Sequence, residues 1–127
     1  MAIIWVAAGG ATGATLRYLV VRFLSSGGAG FPLGTLAVNV VGSLLVGLLA
    51  GSLFAEPKLA AGPRLFFQTG LLGAFTTFSA FSLETLQLWQ TGNIKSAAIN
   101  VLLNVCLCLL AVFLGMALGA SVIERFR

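Results

Sequence analysis

The chain has 127 residues, of which 59% are apolar and only 8% carry a charge, and its mean hydropathy is +1.08. Soluble domains carry about 25% charged residues, so this composition cannot build a water-exposed surface. Intrinsic disorder is excluded because apolar side chains are too abundant. The formal net charge of +4 is too small and too scattered for a nucleic-acid-binding surface. The composition therefore indicates an integral membrane protein.

Four stretches of the chain are long and apolar enough to cross a bilayer as helices, which takes about 20 residues each. They cover positions 2–24, 33–54, 64–89 and 94–120. Glycine, serine and proline cluster in the joins at 25–32 and 55–63, as expected where helices end. We therefore predict a single four-helix membrane domain over 1–127. The first stretch lacks a basic n-region and is too long for a cleavable signal.

The basic residues are spread almost evenly over the two sides of the predicted membrane. One side, with both termini, carries Lys58, Arg64, Arg125 and Arg127. The other carries Arg22 and Lys95, with Arg17 deeper in the first span. This is a weak bias under the positive-inside rule, so both orientations could insert and pair antiparallel. A single orientation stays an open alternative.

Sixteen glycines in a helical chain need a reason, because each costs about 1 kcal/mol relative to alanine inside a helix. Close approach of helices supplies the reason, since three pairs have the spacing of small residues in packed transmembrane helices. The pairs are Gly9 and Gly13, Gly47 and Gly51, and Gly115 and Gly119. We predict a homo-oligomer, most simply a dimer. Cys106 and Cys108 point to different helix faces and are predicted to be unpaired, small apolar fillers.

Two predicted helices carry polar stripes that hydrocarbon would penalise. The stripe in the second span contains Thr35, Asn39 and Ser43, and the stripe in the fourth contains Ser96, Asn100 and Asn104. Asparagine can hydrogen-bond across helices as a purely structural contact, or it can line a pathway. The spacing alone leaves both interpretations open.

The third span is the densest polar signal, with the run GLLGAFTTFSAFS at 70–82. Two glycines and four hydroxyl residues weaken the helix, and a broken helix frees carbonyl oxygens that can coordinate sodium. Phe75, Phe78 and Phe81 follow one another at helical spacing, beside a row of hydroxyl residues. Such a row is either core or pathway. Aromatic edges and uncharged donors suit an anion better than a cation.

Two charged residues accompany this run. Arg17 is about 10 Å from the end of its helix, and Glu84 is the acid of the third span. Arg17 either pairs with Glu84 or lines a positively biased entrance, and both interpretations stay open.

Three runs of the chain resemble the Fluc/CrcB fluoride channels of bacteria: GGATGATLRY at 9–18, GTLAVNVVGS at 34–43 and GLLGAFTTFSAFSLE at 70–84. The resemblance extends over essentially the full length, and the third run is the most specific. It implies an all-α integral membrane protein with four transmembrane helices, the third broken in mid-membrane. It also implies a dual-topology, antiparallel homodimer with two fluoride pathways and a structural sodium ion at the dimer interface.

The resemblance, together with the polar stripes, assigns roles to particular residues. The expected fluoride pathway comprises Phe78, Phe81, Asn39, Ser79, Ser82, Thr77, Asn100 and Asn104. Arg17 and Glu84 match the charged positions near the pathway, and backbone carbonyls of Gly73 and Thr76 match the sodium site. The chain departs from the family pattern at Ala80, where members often carry threonine, and in the fourth span at Asn100, Asn104 and Cys108.

The implied function is passive export of fluoride across the bacterial cytoplasmic (inner) membrane, which relieves fluoride toxicity without ATP. Such a pore must replace the tightly held water of fluoride with strong hydrogen-bond donors. A small multidrug exporter is an alternative, but it needs an acid in the first span, where this chain has Arg17. A non-transporting assembly subunit predicts no ion flux. An enzyme is disfavoured because the chain has no His, no Asp and no paired acids.

Overall fold

The computed structural model describes residues 1–25, 30–52 and 61–126, and no strand occurs in these ranges. The elements are α1 (Ala2–Ser25), α2 (Leu33–Gly51), α3 (Ala61–Arg64), a π-helical segment (Leu65–Leu72), α4 (Gly73–Phe75), α5 (Phe78–Gln90) and α6 (Ile94–Phe126). Parts of the predicted joins and the last two positions of the second span, 53 and 54, lie outside the described residues. So do Lys58 and Arg127 from the charge count.

Three helices are long and apolar enough to cross a membrane, judged by length and composition: Ala2–Ser25, Leu33–Gly51 and Ile94–Val122. They coincide with the first, second and fourth predicted spans to within a few residues. The last helix has 33 residues, about 50 Å at 1.5 Å per residue, and so exceeds the roughly 30 Å of a hydrocarbon core. Large apolar side chains such as Ile3, Leu102 and Phe113 are exposed on these helices. An outer surface of this kind fits a multi-pass membrane protein.

The third predicted span consists of several helical pieces. The π-helical segment runs into α4, and Thr76 and Thr77 are then extended, with φ/ψ of −81°/157° and −152°/112°. Thr77 caps the start of α5, where its side chain accepts a hydrogen bond from the Ala80 N–H. The aromatic row expected at 75, 78 and 81 holds only for Phe78 and Phe81, whose rings are neighbours and line one cleft, and it does not include Phe75. Two extended residues separate Phe75 from α5; Phe75 and Phe81 are buried, and Phe78 is 78% exposed.

Glycines let the helices approach until backbones touch. A Cβ on Gly13 would meet the Leu71 carbonyl oxygen of the π-helical segment, and one on Gly47 would meet the Val112 carbonyl oxygen of α6. The close packing expected from the glycine pairs is therefore confirmed, and it occurs within one chain: α1 on the π-helical segment and α2 on α6. These glycines consequently give no independent support for a dimer.

The interior contains polar side chains among its apolar ones. The largest fully buried side chains are Val38, Asn100 and Thr35, and Asn39, Asn104 and Thr77 are buried beside them. Buried amides and hydroxyls are stable in such surroundings only when they are hydrogen-bonded. Their partners define the candidate site.

Candidate functional site

Asn39 on α2 holds the extended backbone between α4 and α5. Its Oδ1 accepts from the Thr77 N–H at 2.8 Å, and its Nδ2 donates to the Thr77 carbonyl at 3.2 Å. A side-chain amide thus pairs with one peptide residue as a neighbouring strand would. The run of glycines and hydroxyl residues allows the helix to open here, and Asn39 satisfies the backbone groups that opening exposes.

The Asn39 amide is also the first member of a series of hydrogen bonds. Its Nδ2 donates to Asn104 Oδ1 at 2.9 Å, and Asn104 Nδ2 donates to Asn100 Oδ1 at 3.0 Å. Asn100 Nδ2 donates to Thr85 Oγ1 at 2.8 Å, and that hydroxyl donates to the Phe81 carbonyl at 2.7 Å. The two polar stripes of the sequence therefore meet, through the bond between Asn39 on α2 and Asn104 on α6, and Asn100 links them to α5.

The interruption releases two carbonyl oxygens from helical hydrogen bonding. In a continuous helix the Gly73 carbonyl would accept from the Thr77 N–H, but that N–H donates to Asn39. The Thr76 carbonyl would accept from the Ala80 N–H, but that N–H donates to Thr77 Oγ1. These are the two residues whose carbonyls match the sodium site of the family that the sequence resembles. Free carbonyl oxygens are ligands that a hard cation accepts.

A cleft of about 490 Å³ opens beside the interruption. Among the predicted site residues it is lined by Asn39, Gly73, Thr76, Thr77, Phe78, Phe81 and Asn104. Within the described ranges, every side chain that lines it is uncharged. The rings of Phe78 and Phe81 lie 5.3 Å apart between centroids and are tilted by 58°. The cleft can therefore offer ring edges, hydroxyls and amides, but no formal charge.

A second cleft of about 360 Å³ contains both predicted charged residues, Arg17 and Glu84, together with Arg22. Thr77 lines both clefts, so both border the interruption. Glu84 Oε1 accepts a hydrogen bond from Thr35 Oγ1 at 2.7 Å, rather than from Arg17. Its buried Oε2 has no hydrogen-bond partner in the described part of the chain. Two guanidinium groups and one carboxylate give this cleft a net positive charge.

The remaining predicted residues lie near the clefts without lining them. Ser79 Oγ is 3.2 Å from Thr77 Oγ1, and Ser82 Oγ donates to the Phe78 carbonyl at 2.9 Å. Both serines are exposed at the surface of α5, whereas Asn100 is fully buried behind Asn104. Thr77 Oγ1 already accepts from the Ala80 N–H, so its own proton remains available to Ser79 or to an ion.

Sequence reasoning missed two polar residues of this region, Gln68 and Thr85, and left the role of a third, Ser43, open. Gln68, one turn before Gly73, lines the first cleft, and Ser43 lines it from α2. Thr85 ends the series of amide hydrogen bonds. Ser43 belongs to the polar stripe that the sequence predicts in the second span, four residues after Asn39. Nothing in the sequence marked Gln68 or Thr85, because their roles depend on which helices pack together. Cys108 also lines the first cleft, whereas Cys106 is exposed, and neither is in a disulfide.

Comparison with known proteins identifies the family of this chain. The family model described as CrcB-like protein, Camphor Resistance (CrcB), matches residues 4–116. A fluoride-specific ion channel FluC from Elusimicrobium minutum (strain Pei191) is 50% identical over 112 residues, which are 87% of this chain and 86% of the relative. The protein of the same name from Rhizobium meliloti (strain 1021) is 47% identical over 124 residues, 95% of this chain and 98% of the relative. The chain belongs to the CrcB-like protein family.

Proposed function

We propose that this chain is a fluoride-selective ion channel that exports fluoride passively and relieves cytosolic fluoride toxicity. The observation that carries the proposal is the uncharged cleft at the helix interruption, where Phe78, Phe81 and Thr77 come together. Relatives named fluoride-specific ion channel, at 50% and 47% identity over most of their lengths, support the same function. A channel of this kind carries out transport and is not an enzyme.

The proposed pathway uses donors that carry no formal charge. The ring edges of Phe78 and Phe81 carry partial positive charge, and the hydroxyls of Thr77, Ser79 and Ser82 donate hydrogen bonds. These groups replace the water that fluoride gives up on entry. Asn39 and Asn104, which line the cleft, complete the proposed set of pathway residues, and the predicted Asn100 is buried behind them. The amide hydrogens of Asn39 and Asn104 are already bonded to protein, so direct donation to the ion falls chiefly to the hydroxyls.

The second cleft is the proposed entrance to this pathway. Arg17 and Arg22 outweigh Glu84 and give this cleft a net positive charge. A positively charged entrance raises the local concentration of anions. Thr77 lines both this cleft and the uncharged cleft. An exporter of cationic drugs needs the opposite sign and an acid in α1, which carries none. Ala80 lines the entrance at the position where related channels often have a hydroxyl.

A structural sodium ion and an antiparallel dimer are parts of the same proposal. The released carbonyls of Gly73 and Thr76 fit a hard cation, but two oxygens are fewer than such an ion accepts. A second copy in the opposite orientation would supply a matching pair. Sodium would contribute a fixed positive charge where the two copies meet. The weak charge bias of the chain is compatible with insertion in both orientations in the bacterial inner membrane.

The function is tested by purifying the full chain, reconstituting it in liposomes and measuring efflux with fluoride and chloride electrodes. We expect rapid fluoride release and slow chloride release, with protein-free liposomes as the control. Chloride release without fluoride release would overturn the assignment, and release of neither would favour the assembly subunit. The sodium proposal predicts that exchange of sodium for N-methylglucamine during purification lowers the melting temperature of the dimer. An unchanged melting temperature would contradict the sodium proposal alone.

A further inference from the structure

The series of hydrogen bonds that starts at Asn39 closes on the helix where it begins. It leaves Thr77, the N-cap of α5, and passes through Asn39 on α2 and Asn104 on α6. It then continues through Asn100 and ends with Thr85, which donates to the Phe81 carbonyl on α5. The two ends of this ring therefore clamp the segment 77–85, which carries both phenylalanines and both serines of the proposed pathway.

The donor-to-acceptor direction of the hydrogen bonds in the ring is set by the backbone of Thr77. A backbone N–H can only donate and a carbonyl can only accept, so Thr77 determines which atom of the Asn39 amide faces it. Asn39 Nδ2 then requires an acceptor at Asn104, and Asn104 Nδ2 requires one at Asn100. Asn100 Nδ2 then donates to Thr85 Oγ1, and the Thr85 hydroxyl donates to the Phe81 carbonyl. No amide in the ring can reverse without losing a partner.

We infer that Asn100 and Thr85 are positioning residues that hold the first turns of α5 in the orientation needed for ion selectivity. Neither residue lines either cleft, so neither is placed to touch an ion. Asn100 is 0% exposed, and a buried amide that lost its partner would have no water to replace it. Rigid placement of donors is what lets a pore reject a larger anion. This inference rests on the proposed function and adds the means by which the pathway keeps its shape.

The test compares Thr85→Val, which removes the hydroxyl and preserves the shape, with Thr85→Ser, which keeps the hydroxyl. Thr12→Val is the matched control, because Thr12 Oγ1 makes the same bond to a carbonyl four residues earlier, at 2.9 Å, but belongs to no ring. Each full-length variant is reconstituted, and the ratio of fluoride to chloride efflux rates is measured. This ratio does not depend on the amount of folded protein, whereas total flux and melting temperature do.

We expect Thr85→Val to lower the ratio on the order of fivefold, as befits loss of one buried hydrogen bond. Thr85→Ser and Thr12→Val should keep the wild-type ratio. If Thr85→Val does not fold, Thr85→Ala removes the same hydroxyl with less crowding. A wild-type ratio in folded Thr85→Val or Thr85→Ala, even with a lower melting temperature, would show a merely structural role and overturn the inference. A wild type that releases no fluoride would instead overturn the proposed function, and this inference with it.

Discussion

Asn39 and Thr77 are paired through both polar atoms of the Asn39 amide and both backbone groups of Thr77, at 2.8 and 3.2 Å. The pairing joins α2 to a point 38 positions away in the chain. It has a second effect, because it takes the Thr77 N–H away from the Gly73 carbonyl. One side chain thus both stabilises the interruption and frees an oxygen beside it.

Replacing Asn39 with leucine should lower both stability and fluoride flux. The change leaves the Thr77 N–H and carbonyl buried without partners, which costs about 1–3 kcal/mol for each unsatisfied group. Denaturant unfolding in detergent, followed by tryptophan fluorescence, measures the stability, and liposome efflux measures the flux. Asn93→Ala is the control, since within the described ranges its exposed side chain makes a single long contact, 3.4 Å to Thr91. Size-exclusion chromatography should find the same oligomeric state for Asn39→Leu as for the wild type, and a misfolded product would favour the structural interpretation of Asn39.

Phe78→Ile and Phe81→Ile should both slow fluoride efflux, because an aliphatic side chain has no positively polarised edge. The two variants should differ in stability. Phe81 is buried, so reshaping it should cost on the order of 1 kcal/mol, whereas Phe78 is exposed within the chain and should cost less. Phe113→Ile, on an exposed part of α6 away from both clefts, is the control. Unchanged efflux in both variants would refute the aromatic part of the mechanism.

Thr35→Val should destabilise the chain because it removes the hydrogen bond donor of the half-buried Glu84 carboxyl. Hydrogen bonds to charged groups are worth about 1.5–3 kcal/mol. In a Glu84→Leu background, which has no acceptor, the same change should cost less, so a double-mutant cycle should give a coupling energy of about 1 kcal/mol or more. Additive effects of the two substitutions on the unfolding free energy would mean that the Thr35–Glu84 contact contributes nothing.

Gly13→Ala should prevent normal packing of α1 on the π-helical segment. The added methyl group would overlap the Leu71 backbone, which cannot move aside as a flexible side chain could. A Cβ on Gly10 meets nothing within 4 Å in the chain, so Gly10→Ala should fold normally and serves as the control. The yield of monodisperse protein after detergent extraction is the measurement. Equal yields for the two variants would contradict the close contact between these segments.

The sequence by itself determined the class of protein, three of its membrane-crossing helices and the positions where polar groups interrupt apolar stretches. These are local properties: apolar length decides whether a segment can cross a bilayer, and spacing decides which residues share a helix face. The run at 70–82 also marked where helical structure would be weak. The spacing of the glycine pairs is likewise a local property, so it correctly indicated close packing but did not identify the helices that would meet.

Only the tertiary structure determined which polar side chains are hydrogen-bonded to one another. Asn39 and Asn104 are 65 positions apart, and nothing in either local sequence states that their amides meet. Phe75 does not join Phe78 and Phe81 in one row, because helical spacing does not continue through Thr76 and Thr77, where the backbone is extended. Arg17 and Glu84 share a cleft, yet the carboxyl takes its hydrogen bond from Thr35. A buried hydrogen bond depends on which helices pack and at what rotation, and that is a property of the whole chain rather than of any segment.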